Sequence, residues 1–361
     1  MASYIIRRLL LVIPTLIGMT LVIFLVMAMS PGGISAALIS REGNMKPQER
    51  RAMEKYLNDR YGLDKPMYVQ YLKWMNKVSP IGLKPQGTGF PASLGFGFKA
   101  PDLGESFVRR RPVADLITEA LPITFLLNLV SFPIIYATAI IAGIRAASRR
   151  GQAFDVASGT IFLALWSVPV TLAAVLGIGF LTSQQYPHLK WFPTNGLHDL
   201  LSADMHFLPS HSAAGFERGY LLDTAWHLIL PVICMCYADF AFLSKLTRGA
   251  VLENVVADYA RTARAKGVSQ RNVLYRHVFH NSLLPLITVG AHIIPGMLSG
   301  AVIVETIFGL NGMGRLVVQA VFQKDIELVL SEALIAGLLG LGSYLLSDIL
   351  YAVADPRVKF E

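Results

Sequence analysis

Six apolar stretches, each about as long as a lipid bilayer's core is thick, constrain this chain more than any other feature. They run from about Leu9 to Met29, Leu116 to Ile144, Phe154 to Leu181, Thr224 to Leu246, Leu283 to Phe308 and Leu328 to Val353. A helix of about 20 residues, rising 1.5 Å per residue, crosses a hydrocarbon core of ~30 Å. The 361 residues are 53% hydrophobic and only 16% charged, with a mean hydropathy of +0.50. One soluble core does not absorb that much apolar surface. A cleaved signal peptide would share the basic start, but its apolar region is only ~7–15 residues long. The run from Leu9 to Met29 is longer and reads as a retained span, with Pro14 as a candidate kink.

The positive charges then sort the loops. Arg7 and Arg8 precede the first stretch, Arg145, Arg149 and Arg150 follow the second, and Lys245 and Arg248 end the fourth. Lys and Arg concentrate on the cytoplasmic side of membrane proteins. Six spans with both termini cytoplasmic satisfy hydropathy and charge together. The formal charge of +8 is thus a topological signal and calls for no nucleic-acid partner. Cys234 and Cys236 lie two apart in an apolar run, which fits neither a metal nor a redox spacing and reads as two buried thiols.

The expected organisation is a first span at residues 1–29, a long external excursion at residues 30–115, and five further spans within residues 116–361. In the excursion, Lys46 to Leu57 reads as a charged helix, Tyr61 to Pro66 as a turn, and Gln70 to Lys77 as an amphipathic helix that packs through Tyr71 and Trp74. Pro80 to Pro101 is rich in Gly and Pro and reads as loop. Its cations do not oppose an outside location, because long loops cross largely regardless of charge. Pro122 and Pro133 are candidate kinks in the second span, and Pro169 lies in the interior of the third. Gln184 to Leu221 is a second external loop.

The most polar segment of the second half is a basic hairpin at about residues 247–282. Val255, Val256, Tyr259 and Ala263 recur there at helical spacing, while Arg261, Arg264, Lys266, Arg271 and Arg276 supply charge. Gly267 sits where a glycine closes one helix and Ser269 where a hydroxyl caps the next. A basic helical pair between two spans faces the cytoplasm and is suited to docking something there.

This hairpin resembles the cytoplasmic coupling loop of ABC-importer permeases, whose general form is E-A-A-x-x-x-G followed by I-x-L-P. Arg261, Thr262 and Ala263 align with the E-A-A triplet and Gly267 with the glycine. His277 takes the isoleucine's place and Pro285 comes later than usual. These departures match the B-type permease subunits of the peptide branch, which includes oligopeptide, dipeptide and nickel importers. That branch reads RTARAKG…RH…N…P, present here as Arg261 to Gly267, Arg276-His277, Asn281 and Pro285. The opening RRLLxxIPTL, YGLDKP, DLGESF (Asp102 to Phe107) and RPV continue the pattern over essentially the whole chain. Asn311-Gly312-Met313-Gly314, in place of the more usual P-G-L-G, and the ending from Asp355 to Glu361 look most like the Yej-type branch for oligopeptides and microcin-like peptides.

The resemblance implies an all-α integral membrane protein of the type I ABC importer permease fold, with six transmembrane helices and a periplasmic loop after the first. It implies a bacterial inner-membrane subunit that takes up peptides, paired with a second homologous permease in membrane lipid. Two ABC ATPase domains would lie below and a periplasmic substrate-binding protein above. No cofactor belongs to this chain, since ATP and Mg sit on the ATPase partners. It implies ATPase coupling by Arg261, Thr262, Ala263, Lys266, Gly267 and Arg271. Nickel uptake within the same branch stays open as an alternative.

Other candidates come from the residues. Intramembrane ionisable groups are costly and mark functional positions by default. Asp239 and His292 are therefore candidates for a translocation path, and Asn128, the lone strong hydrogen-bonding side chain of the second span, is a third. Glu305 is read as support for the adjoining loop and Asp348 as an anchor at the end of the sixth span. Asn311, Gly312, Met313, Gly314 and Arg315 form a glycine-rich tip read as a contact for the binding protein. There is no G-x-x-x-x-G-K-[ST], so ATP hydrolysis is not expected of this chain. Gly309 to Gly314 lacks the βαβ setting of a nucleotide site. Ser282 has no nucleophile elbow to join it to His277, His280 and Asp239 in a hydrolase. A proton-coupled carrier is the rival from another class. It would need inverted repeats or matched broken spans, and it has no ATPase for a basic hairpin to dock.

Overall fold

The computed structural model describes residues 2–29, 47–62, 64–86, 93–106, 108–182, 187–199, 205–212, 215–291 and 301–354. The expectations at His292, at Asp355 to Glu361 and at the side chains of Arg7, Arg8 and Asp348 lie outside the described residues. The chain divides into two compact units, residues 1–119 with 316–341 and residues 120–315 with 342–361.

The first unit holds helices α1 (Ala2–Met29), α2 (Pro47–Tyr61) and α3 (Met67–Val78) and the beginning of α13 (Ile326–Ala354). Its core is Phe24, Tyr61, Trp74, Val78, Leu330 and Leu334. Tyr71 and Trp74 pack as the amphipathic pattern requires, with ring centroids 5.6 and 5.9 Å from Phe24. The Tyr71 hydroxyl lies 3.0 Å from that of Thr20 on α1. Gly62 ends α2 at φ +68°, a conformation glycine adopts at little cost.

The loop expected from Pro80 to Pro101 is corrected. Strands β1 (Ile81–Gln86) and β2 (Ser93–Phe98) pair antiparallel, with Ile81 opposite Phe98 and Leu83 opposite Phe96. Apolar residues alternate with Gly82 and Gly97, and this period of two outweighs the glycine count. Short hairpins also join β3 (Glu105–Ser106) to β4 (Arg111–Pro112) and β5 (Ser210–Ser212) to β6 (Gly215–Glu217). The all-α expectation is therefore corrected to a helical protein with three two-stranded hairpins among its described residues.

An ion cluster that sequence reading missed ties the excursion to α13. The Arg60 Nε sits 2.9 Å from Oε1 of Glu327 and donates to Oε2 at 3.2 Å, with both side chains buried. Its Nη1 donates to Asp102 at 2.7 Å and its Nη2 to the Asp102 carbonyl at 3.0 Å. Burial would raise the Asp102 carboxyl, but the Arg60 guanidinium and the Gly104 N–H hold it below its usual range. Burial also pushes the nearby Tyr56 phenol up to about 12, with Glu327 adding to the effect. Ser106 donates to Asp325 and Ser331 to the Leu103 carbonyl. Asp102 to Ser106 is thus a docking strap for the start of α13.

The second unit contains most of α4 (Val113–Ser148), then α5 (Ala153–Ser167), α6 (Val170–Leu181), α7 (Gly219–Val255), α8 (Asp258–Ala265), α9 (Gln270–Asn272), α10 (Phe279–Ala291) and α11 (Val302–Ile307). A π-helical turn at Val273–Val278 links α9 to α10, and α12 (Met313–Phe322) begins here. Val113–Ser148, Gly219–Val255 and Ile326–Ser347 are long and apolar enough to cross a membrane. Only 28% of the most apolar window of α4 is buried, against 50% for α7. α7 is therefore the central helix, and the outer face of α4 needs lipid or partner helices to cover it.

The third apolar stretch forms two helices, α5 and α6, bent by 86°. Pro169 has no N–H and pushes the preceding residue out of the helical region. Val168 accordingly sits at φ −82°, ψ 121°. The Tyr237 hydroxyl of α7 donates to the freed Val168 carbonyl at 2.6 Å.

Candidate coupling hairpin and interior residues

α7 has 37 residues, far more than the ~20 that span a hydrocarbon core. It therefore extends beyond the apolar stretch and carries the hairpin on its last turns. The sequence pattern placed Val255, Val256, Tyr259 and Ala263 on one helix. The structure breaks that helix at Val256 and Ala257, where Ala257 is extended at ψ 154°. Arg264 spans the break, donating to the Val255 carbonyl at 2.9 Å. Tyr259 spans it again with a hydroxyl to Asn254.

α8 buries Ala260 and Ala263. They join Ile144 and Ala147 of α4, Val251 of α7, and Val273 and Val278 of the π-helical turn in one apolar cluster. Alanines let these elements approach closely and leave the polar circumference outside. Arg261, Thr262, Arg264, Lys266 and Arg271 are all exposed. The Arg261–Asp258 pair, 3.6 Å apart between two open side chains, holds little.

Gly267 closes α8 as its position predicts. It stands at φ +80°, and no atom lies within 4 Å of where a Cβ would be. The Gly267 N–H donates to Arg264 O at 2.9 Å and the Val268 N–H to Ala263 O at 3.2 Å. These are the two bonds of a Schellman motif, which satisfies the last carbonyls of a helix through a left-handed residue. The Ser269 hydroxyl accepts the Asn272 N–H at 3.4 Å and caps α9.

At the same end of the unit, Asp155 of α5 accepts from Arg248 of α7 at 2.5 and 2.8 Å and from the Gly151 N–H at 2.9 Å. Gly143 on α4 lets α7 approach, because a Cβ there would fall 2.8 Å from the Ser244 carbonyl. The hairpin thus rests on packed helix ends with its cations outward.

The path candidates are not alike. Asn128 is buried, and its amide donates to the Thr124 carbonyl one turn back at 2.8 Å. Asp239 is exposed, midway along α7.

Residues 139–360 match the family described as binding-protein-dependent transport system inner membrane component, and residues 1–128 match the N-terminal part of the same membrane component. The oligopeptide transport system permease protein AppB of Bacillus subtilis (strain 168) is 35% identical over the full length of both chains. The inner membrane ABC transporter permease protein YejB of Escherichia coli O157:H7 is 32% identical, and the di/tripeptide transport system permease protein DppB of Pseudomonas aeruginosa (strain UCBPP-PA14) is 33% identical, again over both full lengths. The chain belongs to this family of transport permeases.

In the permease, residues 309–315 form a packed joint. Glu305 is fully buried. Its carboxylate accepts from Thr124 Oγ1 at 2.8 Å, the Ala301 N–H at 3.1 Å and the Arg315 N–H at 3.0 Å, while the Met313 N–H donates to Thr124 Oγ1 at 2.8 Å. Glu305 does support this loop, as its sequence position suggested. Thr124 was missed, because only the fold brings it within reach of a residue 181 positions away. Gly312, Met313 and Gly314 are buried, Arg315 is half-buried, and Asn311 is exposed. A Cβ on Gly312 would fall 2.5 Å from Thr124 Oγ1, and one on Gly314 2.7 Å from the Val302 backbone.

These contacts separate two roles of the loop. Gly314→Ala is expected to destabilise by about 1–3 kcal/mol through overpacking. Asn311→Ala is expected to leave stability unchanged. Thermal melting of the solubilised complex checks both, and equal melting temperatures for Gly314→Ala and wild type would refute the joint.

Proposed function

We propose that this chain is one of two transmembrane subunits of an ATP-driven ABC importer for peptides. Six spans enclose half of the pathway, with both termini and the hairpin in the cytoplasm and residues 30–115 outside. The sixfold count takes α5 and α6 as one bent span and residues 283–308 as the fifth. The observation that carries this reading is the exposed basic hairpin, seated through Ala260 and Ala263 on the ends of α4 and α7. It is supported by full-length relatives whose names describe peptide and oligopeptide permeases. Partner ATPase domains, holding ATP and Mg, dock on Arg261, Thr262, Lys266 and Arg271, with Ala263 and Gly267 fixing the shape. Their closure moves the hairpin as a rigid body and switches access from one side to the other. A periplasmic binding protein delivers the peptide, and Asn311 is the exposed residue of the tip that meets it. Asn128, Asp239 and His292 lie along the route.

Vesicles containing both permeases and the ATPases, supplied with the binding protein, should take up peptide only with ATP. Uptake driven by a proton gradient, without ATP or partners, would favour a carrier instead. Orientation has its own check. A membrane-impermeant thiol reagent should reach cysteines placed at Ser93 and Ser210 from outside intact cells, but not at Ser148 or Ser269. Labelling of Ser269→Cys in such cells would reverse the topology and remove the docking argument.

A further inference from the structure

Asp239 is an acidic side chain in the apolar part of α7 whose carboxylate has no hydrogen bond or ion pair among the described residues. It lines a cavity of about 230 Å³ with Phe132, Tyr136, Phe242 and Val289, on α4, α7 and α10. Ile135 and Leu243 also line it and, with Leu286 behind them, form a buried cluster that holds the three helices together. The Tyr136 hydroxyl donates to the Leu286 carbonyl at 3.4 Å, which orients its ring. Gly290 keeps that site open, since a Cβ there would come within 3.3 Å of the same hydroxyl. The result is one carboxylate in an aromatic-walled recess, supported from behind.

A carboxylate in the middle of a span is too costly to face acyl chains, so this face of α7 is turned to water or to a passing solute. A resident Mg or Ca ion fits the recess poorly, because such ions take about six or more oxygen ligands. The lining offers one carboxylate and one phenol. An organic ammonium suits it better. Its charge meets Asp239, and its methylenes and N–H groups meet the faces of aromatic rings, which attract cations. The volume is below the ~300–1,000 Å³ of ordinary small-molecule pockets. It holds one amine-bearing end of a molecule and not a whole peptide.

We infer that Asp239, with Phe132, Tyr136 and Phe242, forms a subsite on the route that takes the ammonium group of the transported peptide, from its amino terminus or a lysine side chain. This rests on the peptide reading above. The subsite gives the permease its own selectivity for charge, separate from that of the binding protein.

The test uses the whole complex in vesicles, wild type or Asp239→Asn, with ATP and binding protein. Three peptides that the binding protein retains equally are compared: one with a free amino terminus and no lysine, one acetylated and lysine-free, and one acetylated with a single lysine. Asp239→Asn should lower uptake of amine-bearing peptides about tenfold and leave the acetylated, lysine-free peptide nearly unchanged. Loss with only one of the two amine-bearing peptides assigns the amino terminus or the lysine as the source. Equal loss for all three, or for none, overturns the inference. So does failure of Asp239→Asn to co-purify with the second permease, which would make the carboxylate a partner-subunit contact. If the wild type takes up none of the three, the peptide reading itself falls.

Discussion

Gly267→Val is expected to insert into the membrane at wild-type levels and to lose most transport. The space around Gly267 is open, so the side chain itself meets nothing. The penalty lies wholly in the backbone at φ +80°. A left-handed conformation costs an ordinary L-residue roughly 1–2 kcal/mol, and a β-branched one more. Such a residue restores an ordinary φ by giving up the two Schellman bonds, which re-aims α9 relative to α8. A cost of about 1.4 kcal/mol is tenfold in the population of the docked geometry. Transport should fall about tenfold or more, and ATP hydrolysis should no longer respond to binding protein. Gly267→Asn is the control, because Asn tolerates the left-handed region better than other side chains, and it should keep much of the activity. Arg261→Ala should do less than Gly267→Val, since both Arg261 and its partner Asp258 are exposed. Insertion, retained ATPase on pull-down and coupled hydrolysis are the measurements. Normal values of all three in Gly267→Val would show that the hairpin is not the coupling element.

What was legible in the sequence follows the range of the interactions. Gly267, Ser269 and the pair of hairpin helices act within a few residues, and their chemistry is written locally. Tyr71 and Trp74 announced a buried face by their spacing. The break at Val256 and Ala257 was hidden, because the apolar spacing runs through it and the contacts that hold it come from Arg264 and Tyr259. Pro169 stands plainly inside the third apolar stretch, but the 86° bend beside it goes with a hydrogen bond from Tyr237, a side chain on another helix, to the Val168 carbonyl. The lock of Glu305 on Thr124 and the pairing of Arg60 with Glu327 are hydrophilic contacts between residues 181 and 267 positions apart. No local pattern carries them. DLGESF showed itself only as a motif, and its role as a strap required the partner to be in view. The β1–β2 hairpin was legible in principle, in the alternation of Leu83 and Phe96 with glycines, but a count of Gly and Pro obscured it.

The second large effect is expected at Arg60. Removing one member of a buried pair leaves an uncompensated charge, which costs about 3–5 kcal/mol. Arg60→Ala should therefore destabilise the attachment of residues 47–112 to α13, since Glu327 would keep its burial and lose its cation. The loss at Asp102 is smaller, because that carboxylate is half open to solvent. Gly104 reports on the same contact from another side. A Cβ there would fall 2.5 Å from Glu327 Oε2 and 2.9 Å from Arg60 Nη2, at a residue already at φ +85°. Gly104→Ala should thus weaken the strap without altering any charge. Arg60→Met with Glu327→Leu tests the origin of the effect. Apolar replacement of a whole buried ion pair is often neutral or stabilising, so the double variant should recover most of what Arg60→Ala loses. Protease sensitivity of the excursion in the intact complex measures the attachment, and thermal melting measures its cost. If Arg60→Ala and the double variant resist protease and heat as well as wild type, the buried pair contributes nothing to holding the excursion. If the double variant is as weak as Arg60→Ala, the guanidinium's bonds to Asp102 and not the uncompensated Glu327 charge account for the loss.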